Sequence, residues 1–180
     1  RVVVTALHVY PVKSCRGIAL DAVRLRDTGF ARDRRWLVVD ANGRFVTQRE
    51  TPRLALVGTA LDGDSLCLEV PGAGMLRVPA QQAGAAREVV VWRDRCAALD
   101  CGDVVATALS AFLGRDVRLV QFDPRHDRPV DPTYARDVAA RVQFADAYPM
   151  LLIGEASLAD LNSRLPARPS PRARPPSRRA

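Results

Sequence analysis

Lysine is almost missing from this chain. Its 180 residues hold 27 lysines and arginines together, and Lys13 is the one lysine among them. Histidine is nearly as scarce, with His8 and His126 far apart, so a histidine-built catalytic base or metal centre has no support. The four cysteines, Cys15, Cys67, Cys96 and Cys101, include no C-x2-C pair, which speaks against a zinc ribbon or an iron–sulfur loop. No apolar run approaches the roughly 20 residues of a membrane helix. P-loop, G-x-G-x-x-G and Ser-His-Asp patterns are missing too, so an independent nucleotide enzyme or hydrolase has little support. No signal-peptide pattern is present; the first residue is Arg1 rather than Met, and the true N-terminus is expected upstream.

What remains is an ordinary globular composition, 48% hydrophobic and 26% charged, in a length that suits one good core or one domain and part of a second. The net charge of +7 is unevenly placed. The last fifteen residues, "PARPSPRARPPSRRA", hold five arginines and no acid, which leaves +2 for the other 165. A nearly neutral body argues against specific nucleic-acid binding; the tail supports only weak, sequence-independent phosphate contacts. Reduced thiols in a cytoplasmic compartment are expected, with Cys67 of "SLCLEV" a small buried hydrophobe.

The first ninety residues have β character. "VVVTALHVY" and "DAVRLRDTGF" read as strands. "RRWLVVDANGRFVTQRE" reads as two strands joined at Asn42-Gly43, and "LVGTALDGDSLCLEV" as a hairpin turning at Asp62-Gly63-Asp64. In the latter, Leu66, Leu68 and Val70 share one face, Cys67 and Glu69 the other. "MLRVP" and "EVVVWRDRCAALD" extend the series toward a small barrel or sandwich. A helix is expected near 103–113, capped by Asp103 and Gly114, followed by a strand in "VRLVQFD". Residues 123–137 read as a surface loop and "YPMLLIG" as a buried strand. "EASLADLNSRLP" reads as a second helix with Leu158, Leu161 and Leu165 on its apolar face and capping-box spacing at Ser157 and Asp160. The tail lacks any residue able to bury a core and is expected to be disordered.

Two stretches offer chemistry. In "YPVKSCRG", Lys13 and Ser14 with Gly17 form either an anion-binding corner at a strand end or a solvated loop. In "ARDRRWLVVD", a strand starting near Arg34 puts Arg34 and Trp36 on one face. An inward arginine there needs an anionic partner, either Asp33 or a ligand.

Four ordered motifs, "YPVKSCRGIAL", "RDRRWLVVD", "FVTQRETPRLALV" and "YPMLLIGEASLADLNSRL", together resemble the MOSC family, that of the mitochondrial amidoxime-reducing component and its bacterial relatives. The resemblance covers about residues 3–165. It implies a mostly β (α+β) fold: a MOSC N-terminal β-barrel domain over 1–122 with one or two helices, a loop or linker over 123–143, the truncated beginning of a MOSC domain over 144–165, and a disordered tail over 166–180. It implies molybdenum cofactor (molybdopterin), a phosphate-bearing polyanion, held by Lys13, Ser14, Arg34, Ala147 and Tyr148. It further implies an electron-donor protein and an N-hydroxylated small-molecule substrate. None of the four cysteines matches the family's metal-ligating position, so no catalytic or metal residue is assigned, and this stretch by itself is expected to be inactive. Two alternatives stand beside the oxidoreductase reading: a non-catalytic β-barrel binding module, and a sulfurase-related handler of the cofactor. Lys13, Ser14 and Arg34 are expected to converge on one corner near Tyr148. They are expected to face solvent, so that exchanging Lys13 for arginine costs little stability.

Overall fold

A computed structural model describes residues 3–80, 84–135 and 138–165, with Tyr134 described in its backbone only. The chain divides into two compact units, Arg1–Met150 and Leu151–Ala180. The expected tail disorder falls outside the described residues. Among the described residues, no helix is long and apolar enough to cross a membrane.

The first unit is mostly β. Its strands are β1 (Leu7–Val9), β2 (Ile18–Leu20), β3 (Leu25–Arg26), β4 (Gly29–Phe30) and β5 (Trp36–Asp40). After a 3-10 turn at Pro52–Leu56 come β6 (Gly58–Asp62), β7 (Ser65–Val70), β8 (Gly74–Val78), β9 (Ala86–Val91) and β10 (Asp94–Asp100). Helix α1 (Asp103–Leu113) then leads into β11 (Val117–Phe122), and a four-residue helix α2 (Pro132–Ala135) follows. β1–β2 and β3–β4 are short antiparallel hairpins, β6–β7–β8 is a meander, and the largest sheet runs β5–β11–β10–β9.

That largest sheet closes on itself. Chain reversal at Asn42-Gly43 brings residues 44–46 back along β5, with Val39 opposite Phe45 and the Val46 amide donating to the Val38 carbonyl at 2.8 Å. The same segment reaches β9 at the far edge: Arg44 bridges Val90, and the amides of Phe45 and Val90 donate to Val90 and Gly43 at 3.2 and 2.9 Å. Two edges that would otherwise lie open are thereby paired. The interior holds Leu37, Val39, Val89, Val91, Cys96, Ala98, Val120 and Phe122, with Phe144 and Phe45 packed against them. The outer face of β5, Trp36 and Val38, packs with α1 and the meander through Leu66, Leu68, Val70, Val105 and Leu109. Buried on both faces, β5 reads "WLVV" without alternation until Asp40.

Local chemistry accounts for the turns that the sequence announces. Gly43 has φ +74°, and the Asp40 carboxylate accepts from the Asn42 and Arg44 amides at 2.9 Å each. The β6–β7 turn falls at Gly63, with Leu66, Leu68 and Val70 buried as expected. Gly114 ends α1 in a left-handed conformation.

Other expectations need correction. Cys67 is half-buried rather than buried, because it lies on the outward face of β7. Asp103 is the first residue of α1, not its cap; Gly102 holds the cap position with no side-chain cap bond, and Asp100 fixes that glycine by accepting its amide at 2.8 Å. The described residues 123–135 are more than a surface loop, since Asp123, Arg128 and Val130 are buried. "YPMLLIG" forms no strand: no strand among the described residues pairs with it, and Leu151, Leu152 and Ile153 are exposed. In the second unit, helix α3 (Glu155–Arg164) forms as expected, but it starts after Gly154, so Ser157 and Asp160 lie inside it and make no capping box. Asp160 instead pairs with Arg164 one turn on. Leu158, Leu161 and Leu165 stay about half exposed.

Candidate functional site

Residues 10–13 and 33–36 run side by side. The Arg34 amide donates to the Tyr10 carbonyl at 2.8 Å, the Trp36 amide to Pro11 at 3.0 Å, and the Lys13 amide to Trp36 at 2.9 Å. The Tyr10 amide in turn donates to the Asp33 carboxylate at 2.7 Å. This ladder places Lys13 and Arg34 as neighbours although 21 positions separate them in sequence. A third stretch joins them when the Phe144 amide donates to the Arg34 carbonyl at 3.0 Å.

Beyond Phe144 the chain is held at two points. The Lys13 ammonium donates to Asp146 Oδ1 at 2.7 Å, and Arg34 Nη2 donates to the Pro149 carbonyl at 3.0 Å. Ala147 and Tyr148 lie between these holds and are exposed. Lys13, Arg34 and the 147–148 segment are therefore together, with Ser14 beside Lys13. Its carbonyl accepts from Gln48 at 2.7 Å.

The expectation that these groups face solvent is overturned. Lys13 is only 7% exposed, and its ammonium is paired with Asp146. An amine enclosed that far needs a counter-ion, and Asp146, 133 positions away in sequence, supplies it. Arg34 is paired with Asp33, which settles the question of its partner within this chain. The inferred sharing of a face by Arg34 and Trp36 also fails: β5 begins at Trp36, and Arg34 has a left-handed backbone that breaks the alternation.

The electrostatics record a crowded positive corner. Burial holds the Lys13 amine below its ordinary range; Asp146 opposes this, while the charges of Arg34 and Arg128 add to it. Burial raises the Asp33 carboxyl, against the Tyr10 amide and the Arg34 and Lys13 charges. Burial also pushes Asp146 up, but hydrogen bonds from Lys13 and Trp92 outweigh it and leave the carboxyl low. Trp92 Nε1 reaches Asp146 Oδ1 at 2.6 Å, and Arg128 anchors the same stretch through the carbonyls of Gln143 and Ala145, both at 2.6 Å.

Sequence reasoning missed Trp92, Arg128 and Asp146. The backbone gives a signal that composition lacks. Among the described residues, four that are not glycine have positive φ: Ser14, Arg32, Arg34 and Trp92. Three of these belong to this one cluster, and strain concentrated in one place marks a position that the surrounding structure enforces.

Gly29 supports the same corner. At φ +99° it lies against Pro149, and an added Cβ would come within 2.8 Å of the Pro149 carbonyl that Arg34 holds. Gly29→Ala is expected to destabilise the fold by about 1–3 kcal/mol. Urea denaturation checks this, and a midpoint unchanged from the parent would show that the 146–149 segment yields freely.

Residues 1–116 match the family described as MOSC N-terminal beta barrel domain. Human mitochondrial amidoxime-reducing component 1 is 38% identical over 173 residues, 90% of this chain and 51% of that protein. Bovine mitochondrial amidoxime reducing component 2 is 36% identical, with the same coverages. Human molybdenum cofactor sulfurase is 28% identical over 91% of this chain and 19% of its own length. The chain thus spans about half the length of the amidoxime-reducing relatives. A solved Bordetella bronchiseptica protein aligns over 56% of this chain and 85% of its own at 23% identity and a TM-score of 0.45.

Proposed function

The chain belongs to the MOSC N-terminal beta barrel domain family, and from that premise we propose that it is the cofactor-facing part of a molybdenum-cofactor oxidoreductase acting on N-hydroxylated compounds. The observation that carries this reading is the double hold of Lys13 and Arg34 on Asp146–Pro149, with two of the strained residues, Ser14 and Arg34, in the same corner.

The donor set suits the phosphate end of a pterin cofactor. An ammonium, a guanidinium and a hydroxyl come from Lys13, Arg34 and Ser14, and Ala147 and Tyr148 lie next to them. Arg128, itself paired with Asp94, adds its charge to the field at Lys13. Asp146 occupies Lys13, yet its side chain is 65% exposed and can turn into water when an anion takes its place. The set does not supply a soft-metal ligand. Cys15, next to Ser14, is buried, and burial pushes its thiol up to about 12, so it stays protonated where a thiolate is required. When bound, the molybdenum cofactor would supply two-electron exchange with the substrate; the role of these residues is to hold and orient its anionic end.

The likeness to the sulfurase favours a second reading, a module that handles the same cofactor without reducing anything. One experiment addresses both. The purified chain is mixed with molybdenum cofactor released from a donor enzyme, desalted, and assayed for bound pterin by fluorescence and, with a dithionite-reduced viologen as the two-electron source, for reduction of an amidoxime. Bound pterin without turnover is expected. No pterin above the level of an unrelated protein would remove the cofactor reading, and turnover would show that a metal ligand had been overlooked.

A further inference from the structure

A second cluster of positive charge lies outside the corner just described. Arg24, Arg26, Arg32 and Arg35 line a cleft of about 480 Å³, together with Thr28 and Asp64. None of Lys13, Ser14, Arg34, Ala147 or Tyr148 is part of its wall. The fold builds it from three pieces. Arg24 and Arg26 alternate along the β3 side of the β3–β4 hairpin, which the Ala31 amide closes by donating to the Arg24 carbonyl at 2.8 Å. Arg32 follows the hairpin with φ +68°. Arg35 is fixed by its bond to the Ala80 carbonyl at 2.9 Å and by stacking 5.3 Å from the Trp36 ring. Asp64 enters from the β6–β7 turn.

The charges do not balance. Four guanidinium groups meet one carboxylate, and Asp64 is paired with Arg32. Among the described residues, the head groups of Arg24 and Arg26 have no carboxylate pair, and Arg35 is held by a carbonyl and a ring rather than an acid. Arginines crowded around a cleft repel one another unless an anion joins them. The volume lies within the range of small-molecule sites, about 300–1,000 Å³. Among the described residues no aromatic ring lines it, so it lacks the aromatic platform of a nucleobase site. Planar guanidinium forks match the oxygens of a phosphoryl group two at a time.

We propose that this cleft binds a small phosphorylated anion, with Arg24, Arg26 and Arg35 on its oxygens and Asp64 as an internal competitor that holds Arg32 when the anion is away. The ligand chemistry is a phosphoryl group carrying at least two negative charges. It comes either from inorganic pyrophosphate or from an organic phosphate monoester.

The test is calorimetric titration of the whole chain at low ionic strength with pyrophosphate and, separately, glucose 6-phosphate. Arg24→Gln combined with Arg26→Gln should weaken binding about tenfold or more, as the loss of charge-assisted hydrogen bonds implies. Both side chains are exposed, so the fold should tolerate the change. Arg44→Gln combined with Arg95→Gln removes the same charge from exposed positions outside the cleft wall and should leave affinity nearly unchanged. Asp64→Asn should tighten binding by roughly threefold, since an exposed ion pair competes only weakly. A gain of this kind cannot come from misfolding. Tighter pyrophosphate binding would assign the inorganic ligand, and tighter glucose 6-phosphate binding the organic one. Equal losses in the two double variants, an Asp64→Asn protein that binds no tighter, or no binding of either anion would overturn the proposal.

Discussion

Replacing Lys13 with methionine should leave the folded chain nearly as stable as before and remove most of its retained pterin. The two effects separate because of what surrounds the amine. Lys13 is enclosed, lies 5.8 Å from the Phe45 ring centroid, and feels the charges of Arg34 and Arg128. Much of what Asp146 contributes offsets the loss of water. Methionine has a similar length and no charge, so it fills the space, relieves the repulsion and frees a carboxylate that is already mostly hydrated. Only the lysine end of this pair is buried; the carboxylate left behind stays largely in water and keeps its bond from Trp92, so no buried charge is stranded and a change within about 1 kcal/mol is expected. An anion at the corner, however, loses its point charge. Pterin retention should fall about tenfold, the scale of one charge-assisted hydrogen bond.

Lys13→Arg reverses the order. In a pocket that leaves lysine 7% exposed, the longer, planar head group overpacks, and about 1–3 kcal/mol of destabilisation is expected. The conservative change should therefore harm the fold more than the charge-removing one. Urea denaturation and pterin fluorescence, measured on both variants, check the pair. Full pterin retention by Lys13→Met would remove Lys13 from the cofactor site. A Lys13→Arg protein as stable as the parent would show that the pocket is looser than its burial implies.

What the sequence disclosed and what it hid follow one physical rule. Asn42-Gly43, Asp62-Gly63 and the Gly114 end of α1 are set by backbone conformations that a few adjacent residues determine, so they were legible. So was the mostly β architecture with its barrel, since strand periodicity and the motifs of the resemblance point to it. Closure of the sheet by residues 44–46 was not, because only pairing with β9 distinguishes that short return from an ordinary hairpin arm. Reading "YPMLLIG" as a strand failed for the same reason: apolar composition supplies a propensity, and a strand needs a neighbour. At the candidate site, Lys13 and Arg34 stood out as types in a pattern, whereas Asp146 and Trp92 become partners only once three separate stretches meet.

Asp100 is the strongest case of a residue visible only in three dimensions, and the largest stability effect is expected there. Its side chain is 6% exposed at the end of β10. Arg118 grips it with two bonds, Nε to Oδ2 at 2.6 Å and Nη2 to Oδ1 at 2.8 Å; Arg87 pairs with Oδ2, and the Gly102 amide donates to Oδ1. One carboxylate thus ties β9, β10, β11 and the entry to α1 together. Burial alone would raise its pKa, but the Arg118, Gly102 and Arg87 hydrogen bonds outweigh that and bring it to about 2. Because the folded value lies below the ordinary one, the stabilisation is complete above about pH 4 and is lost as pH falls from there toward 2. Asp100→Ala leaves Arg118 and Arg87 without their shared carboxylate and strips the helix entry of its acceptor. Both arginines keep partial access to water, so the cost should sit at the lower end for breaking such a pair, about 3 kcal/mol. Asp100→Asn retains an oxygen for the Gly102 amide and should cost less. Urea denaturation at pH 7 and again near pH 2.5 checks the account: the gap between parent and Asp100→Ala should narrow at the lower pH. A gap that stays constant, or a difference below about 1 kcal/mol at pH 7, would mean that the carboxylate's charge is not what joins these elements.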